Sequence, residues 1–162
     1  MIEQENGTVT VKYESGIIYM GGLQNNKKEG FGVLKWPDGA MYEGHFKNNV
    51  ANSKGKFIHP DGDKYEGDWV DNKAEGIGKY SRHLGGYYEG GWKKDEPEGY
   101  GVENWGDGNI YKGSFKNGLK EGQGFYQWGD GSTYEGQWYD GKIEGKGIYK
   151  HCDGRIYEGK WK

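Results

Sequence analysis

Residues 134–154 read Tyr134-Glu-Gly-Gln-Trp-Tyr-Asp-Gly-Lys-Ile-Glu-Gly-Lys-Gly-Ile-Tyr-Lys-His-Cys-Asp-Gly154. The opening Tyr-Glu-Gly-Gln-Trp alternates large side chains with small or polar ones at a period of two, the mark of a strand with one apolar face. Asp140-Gly141 follows, a pair suited to the positive φ angles of a tight hairpin turn. A second run then carries Gly145 and Gly147 and ends at Asp153-Gly154. The stretch predicts a β-hairpin.

Outward from this stretch the pattern recurs. Tyr19, Tyr42, Tyr65, Tyr88, Tyr111, Tyr134 and Tyr157 are spaced by 23 residues. Two positions after each stands a glycine, and four positions after stand Leu23, Phe46, Trp69, Trp92, Phe115, Trp138 and Trp161. Each unit also carries a Gly-x-Gly pair, as at Gly76/Gly78 or Gly122/Gly124, with Ser53 replacing the first glycine of one unit. A fixed period of this length signals a repeat architecture. The expected organisation is one array: a half-unit over 7–18, repeats over 19–41, 42–64, 65–87, 88–110, 111–133 and 134–156, and a half-unit over 157–162. The predicted fold is all-β, an elongated, twisted, single-layer antiparallel meander of about 14 strands.

Parity decides the second linker. A two-residue turn there would flip the sheet face at every repeat, whereas a three-residue loop ending in a left-handed glycine keeps it constant. Pro37-Asp38-Gly39, Pro60-Asp61-Gly62, Gly106-Asp107-Gly108 and Gly129-Asp130-Gly131 suit that loop, and His83-Leu84-Gly85 matches it least. The expected register sets Trp138 across from Gly147, Tyr134 across from His151 and Gly136 across from Tyr149.

Composition limits the rest. Hydrophobic residues make up 32% of the chain and half of them are aromatic, too few aliphatic side chains for a buried two-layer core. A net charge of -3 offers no general attraction for nucleic acid. Cys152 stands alone, so no disulfide framework is encoded. Neither a signal peptide nor a stretch approaching a membrane span is apparent, and the expected location is cytoplasmic.

The unit closely resembles the MORN (membrane occupation and recognition nexus) repeat over nearly the whole chain. The resemblance implies hairpins used as an interaction surface, in settings that range from cilia and cytoskeletal scaffolds to membrane junctions and the regulatory parts of lipid kinases. The expected function is a non-catalytic protein-binding scaffold that presents an aromatic and glycine face to an extended segment or helix, in a cytoskeletal or ciliary assembly. The alternatives are a module binding acidic phospholipid, a regulatory repeat domain of a larger enzyme, and an exported aromatic repeat recognising carbohydrate or choline. The last of these needs a signal sequence and Gly-Trp and Tyr-Tyr pairs.

With no second layer encoded, Tyr65, Trp69, Tyr88, Trp92, Tyr134 and Trp138 are expected to remain partly exposed and, with Trp105 and Trp128, to form the partner-binding face. The position seventeen after the Tyr varies through Trp36, His59, Arg82, Trp105, Trp128 and His151. Varying side chains at a fixed place on a regular scaffold are expected to set specificity. Catalysis has no comparable pattern. The Gly-x-Gly pairs lack the helix and Lys-Ser/Thr of a phosphate loop. His45, His59, His83 and His151 lack metal-ligand spacing, and Asp61, Asp63 and Asp68 lack the rest of a calcium loop. No cofactor or metal is expected. Tyr157-Glu-Gly-Lys-Trp-Lys162 reads as a first strand without its hairpin partner, which fits either a piece of a longer protein or a homodimer paired through an edge strand.

Overall fold

The computed structural model describes every residue from Met1 to Lys162 as fifteen strands with no helix. They fall into two compact units, Met1–His83 and Leu84–Lys162. The first unit holds β1 (Ile2–Glu5), β2 (Thr8–Lys12), β3 (Ile18–Gln24), β4 (Lys27–Lys35), β5 (Met41–Lys47), β6 (Val50–Ile58), β7 (Lys64–Val70) and β8 (Lys73–Ser81). The second holds β9 (Tyr87–Lys93), β10 (Glu96–Asn104), β11 (Ile110–Lys116), β12 (Leu119–Gln127), β13 (Thr133–Tyr139), β14 (Lys142–Lys150) and β15 (Ile156–Trp161). Within each unit every strand pairs antiparallel with the next in chain order. Each unit is thus an open all-β meander of hairpins. The strand beyond the expected count is β1, which reaches β2 through a turn at Asn6-Gly7.

Both turn types follow from residue chemistry. The two-residue turns place both residues at positive φ, as at Asn25-Asn26 (50° and 61°), Asn117-Gly118 (48° and 80°) and Asp140-Gly141 (50° and 79°), matching the twist of the flanking strands. In the second linker the Trp128 N–H donates to the Ser132 carbonyl and the Gly131 N–H to the Trp128 carbonyl. This is the three-residue loop, with Gly131 left-handed at 89°. Asp130 Oδ1 accepts the Ser132 N–H at 2.8 Å, and Asp38, Asp61, Asp107 and Asp153 act alike in their turns. An aspartate there closes the loop through its own side chain.

The register differs from expectation. Gly136 pairs with Gly147, Tyr134 with Tyr149 and Trp138 with Ile143, with an irregularity between the last two glycine and tryptophan positions. The same offset recurs in β3–β4, β5–β6, β7–β8, β9–β10 and β11–β12. The cause is a bulge that sets three residues of the longer strand, such as Glu144, Gly145 and Lys146, against one of the shorter, Gln137. On the longer strand the first glycine of each Gly-x-Gly pair is left-handed (Gly30, Gly76, Gly99, Gly122, Gly145), while the second faces another glycine. Ser53 holds the bulge position at φ 71° without being a glycine. A left-handed L-residue costs about 1–2 kcal/mol, partly offset by the greater unfolded-state freedom of glycine. Ser53→Gly is therefore expected to stabilise the protein by about 0.5–1 kcal/mol, read as a higher urea midpoint at unchanged slope.

Neighbouring hairpins are also latched at their tips. Glu29 accepts the Asn48 N–H, Glu98 the Asn117 N–H and Glu121 the Asp140 N–H, at 2.9–3.0 Å. In these three repeats the glutamate before the Gly-x-Gly pair thus holds the turn of the following repeat.

Candidate functional site: an aromatic row over a tyrosine core

The bulge creates the seat of the repeat tyrosine. In β11 the Tyr111 ring lies over Gly124 of the partner strand: a β-carbon added there would fall 2.5 Å from ring atom Cε2 and 2.6 Å from Cζ. Its hydroxyl donates at 2.9 Å to the Ser114 carbonyl, at the irregular step of the ladder. Tyr19, Tyr42, Tyr65, Tyr88 and Tyr134 donate in the same way to the carbonyl three residues on, at 2.8–3.0 Å. The bulge thus provides both a glycine floor for the ring and a carbonyl for its hydroxyl.

Tyr42, Tyr88, Tyr111 and Tyr134 then each meet two other rings edge-on. Tyr111 contacts Phe115 of its own strand at 5.0 Å between centroids and Trp138 of the next repeat at 5.3 Å. Tyr42 does the same with Phe46 and Trp69 in the first unit. Edge-to-face contacts at this spacing are favourable beyond the area they bury. The consequence corrects one expectation: Tyr65, Tyr88 and Tyr134 are buried, as are Trp69 and Trp138. A single sheet layer buries Tyr88 and Tyr134 because each ring is floored by glycine backbone and walled by the next repeat's ring. Of the eight residues expected to form an exposed face, Trp92, Trp105 and Trp128 are the ones left half-buried.

A second row of rings lies alongside this core. In the second unit Trp105, Tyr126, Trp128 and Tyr149 follow one another at centroid spacings of 5.7, 4.6 and 5.7 Å, all half-buried. In the first unit Trp36, Phe57, His59 and Tyr80 form the corresponding run at 5.6, 4.7 and 5.9 Å. Every second member stands at the varying seventeenth position. Trp36, His59, Arg82 and His151 are likewise half-buried, and the N–H groups of Trp36, His59 and His151 close the three-residue turns. The intervening members, Phe57, Tyr80, Tyr126 and Tyr149, escaped the sequence reading. Aligning the repeats on Tyr places aromatics fifteen residues on in four units, but the expected register set His151 rather than Tyr149 opposite Tyr134.

The polar candidates are engaged in the fold. Asp63 accepts the Tyr80 hydroxyl at 2.6 Å and the His83 N–H at 2.8 Å, and those hydrogen bonds hold its carboxyl below the usual carboxylate range. Asp68 pairs with Lys54 and accepts the Ile77 N–H. His151 lies 2.9 Å from Asp153. No three His, Cys, Asp or Glu side chains gather as a metal site, and no helix is long and apolar enough to cross a membrane.

Lys120 is the unusual cation. Its ammonium sits over the rings of Trp105, Tyr111, Tyr126 and Trp138 at 5.2–5.8 Å from their centroids, and burial lowers its pKa. Lys28, at the equivalent place in the first full repeat, lies 5.4 Å from the Tyr13 and 5.5 Å from the Tyr19 centroid.

A family model described as the MORN repeat matches the chain six times, at residues 19–41, 42–64, 65–83, 88–110, 111–133 and 134–154. Comparison with curated proteins gives no match. Among solved structures, the TCP domain of Drosophila melanogaster SAS-4 (dCPAP), in complex with a proline-rich motif of Ana2 (dSTIL), is similar at a TM-score of 0.58 and 8% identity, covering 99% of this chain and 90% of that one. The TCP10 domain of Danio rerio CPAP, in complex with a peptide of STIL, matches at 0.50 and 13% identity, covering 95% and 74%. At these identities the likeness is one of fold.

Proposed function

The chain belongs to the MORN-repeat family, and we propose that it is a non-catalytic scaffold whose outer aromatic row receives an extended segment of a protein partner, within a cytoskeletal assembly. The observation that carries this reading is the unbroken sequence of half-buried rings, Trp105–Tyr126–Trp128–Tyr149. These rings are held rigid from below by the Tyr and Trp core and are open above. Rigid aromatic surfaces that lose little entropy on binding supply most hot spots, and aromatic grooves are where extended proline-rich segments dock. The TCP domains with this fold were solved with a proline-rich motif and with a peptide, which supports an extended occupant over a helix.

In this reading Trp105 and Trp128 are the principal contacts, and the side chain at the seventeenth position, Trp36, His59 and Arg82 in the first unit and His151 in the second, selects the partner. The test is titration of a proline-rich peptide followed by tryptophan fluorescence. Trp128→Ala is expected to cost about 2 kcal/mol, roughly thirtyfold in Kd, measured at a temperature where the variant keeps its β-sheet signal. Equal affinity of the variant and the parent protein would remove the row as the docking surface.

A further inference from the structure

The ninth position after each repeat Tyr faces the apolar side chain of the neighbouring strand: Phe46 pairs with Ala51, Trp69 with Ala74, Phe115 with Lys120 and Trp138 with Ile143. Where it is alanine the site is closed, since Ala51 and Ala74 are buried. Where it is Lys120, four rings converge on the ammonium. Moving one repeat along, by 23 residues, carries Trp105 onto Trp128, Tyr111 onto Tyr134, Tyr126 onto Tyr149 and Trp138 onto Trp161, while Lys120 becomes Ile143. The same four rings surround an open cavity of about 440 Å³, completed by Ile143 and Tyr157. Isoleucine is two heavy atoms shorter than lysine along its longest branch, so the place that the ammonium takes upstream is left to solvent here.

The chemistry of that place favours a cation. Ring faces carry the negative part of the aromatic quadrupole, and several faces meeting at one point attract an ammonium that a purely aliphatic cavity would reject. The lysine already seated upstream is an intramolecular copy of the occupant.

Resting on the reading of the row as a docking surface, we propose that the cavity bounded by Trp128, Tyr134, Ile143, Tyr149 and Trp161 is an aromatic cage for a lysine side chain of the bound segment. Along the second unit the row therefore reads a lysine one repeat beyond the position that Lys120 fills from within.

The experiment uses side-chain analogues, so it stands apart from peptide binding. Nα-acetyl-lysine amide, its norleucine counterpart and phosphocholine are each titrated while the indole N–H resonances are followed by NMR. Lysine amide is expected to shift Trp128 and Trp161 saturably in the millimolar range, with norleucine amide and phosphocholine at least tenfold weaker. Lys120→Ile, which copies the downstream side chain, opens the upstream cage and is expected to bring Trp105 and Trp138 into the response. Ile143→Lys fills the downstream cage and abolishes it. An equal or stronger response to norleucine amide would make the cavity an apolar pocket, and one to phosphocholine a headgroup site. Either result, no response from the parent protein, or a response that survives Ile143→Lys overturns the proposal. Saturation by lysine amide alongside indifference to proline-rich peptides would leave the cage standing and remove the docking row.

Discussion

Gly124→Ala is expected to destabilise the protein by about 3 kcal/mol, at the upper end of overpacking costs, although it adds one methyl group to a strand. The methyl would enter the Tyr111 ring, and the ring has no free direction. Phe115 and Trp138 stand edge-on against it, and its hydroxyl is committed to the Ser114 carbonyl. To admit the methyl, Tyr111 must leave its seat, unsealing its own hairpin and the contact with the next. Gly122→Ala, two residues earlier, is the control. Nothing lies within contact distance of its added carbon except Ser114 Cβ at 3.7 Å, so only the left-handed φ of 77° is charged against it, about 1–2 kcal/mol. Urea unfolding monitored by fluorescence separates the two. Equal losses would mean that backbone conformation, and not ring seating, explains both glycines.

A second large effect is expected in alkali. Burial pushes the Tyr19 and Tyr42 hydroxyls up to about 12 and raises those of Tyr88, Tyr111 and Tyr134 as well. In the unfolded chain the same phenols ionise near their ordinary value of about 10. Above that pH the unfolded state binds fewer protons than the folded one, so stability falls as pH rises; below it the contribution is fully present. Each pH unit through which one phenol stays protonated costs about 1.4 kcal/mol, and several act together against a total stability of about 5–15 kcal/mol. The fold is expected to collapse cooperatively near pH 11, with phenolate absorbance appearing in one steep step that coincides with loss of the β-sheet signal. A gradual titration with the sheet intact would show that the rings ionise in place.

The sequence carried the hairpins, both turn types and the family, because those depend on local backbone chemistry: Asn-Gly and Asp-Gly pairs, and a glycine three residues into each loop. It did not reveal the register. Alternation continues on either side of Gly145, and nothing in a period-two pattern announces that the residues around it form a bulge. That one displacement governed the site. Had Gly136 been set against Gly147, Tyr134 would have faced Tyr149, and the inner core would have separated from the outer row at once. Lys120 was obscured for another reason. A lysine on a strand reads as solvated until the rings that collect around it are brought together from two successive repeats. Trp105 and Trp128 remained candidates because their position varies, and variation at a fixed place is visible without coordinates.

The reach of the core contacts bears on how the chain leaves the ribosome. Within each unit a tyrosine touches its own strand and the repeat that follows, Tyr111 reaching no farther than Trp138 among the rings, and the glutamate latches span a similar interval. Loops this short close quickly, and low contact order goes with rapid folding. A nascent hairpin needs one more period of chain to emerge before its ring is walled in. Synthesis and folding can therefore advance together, with a single unsealed tyrosine at the growing end.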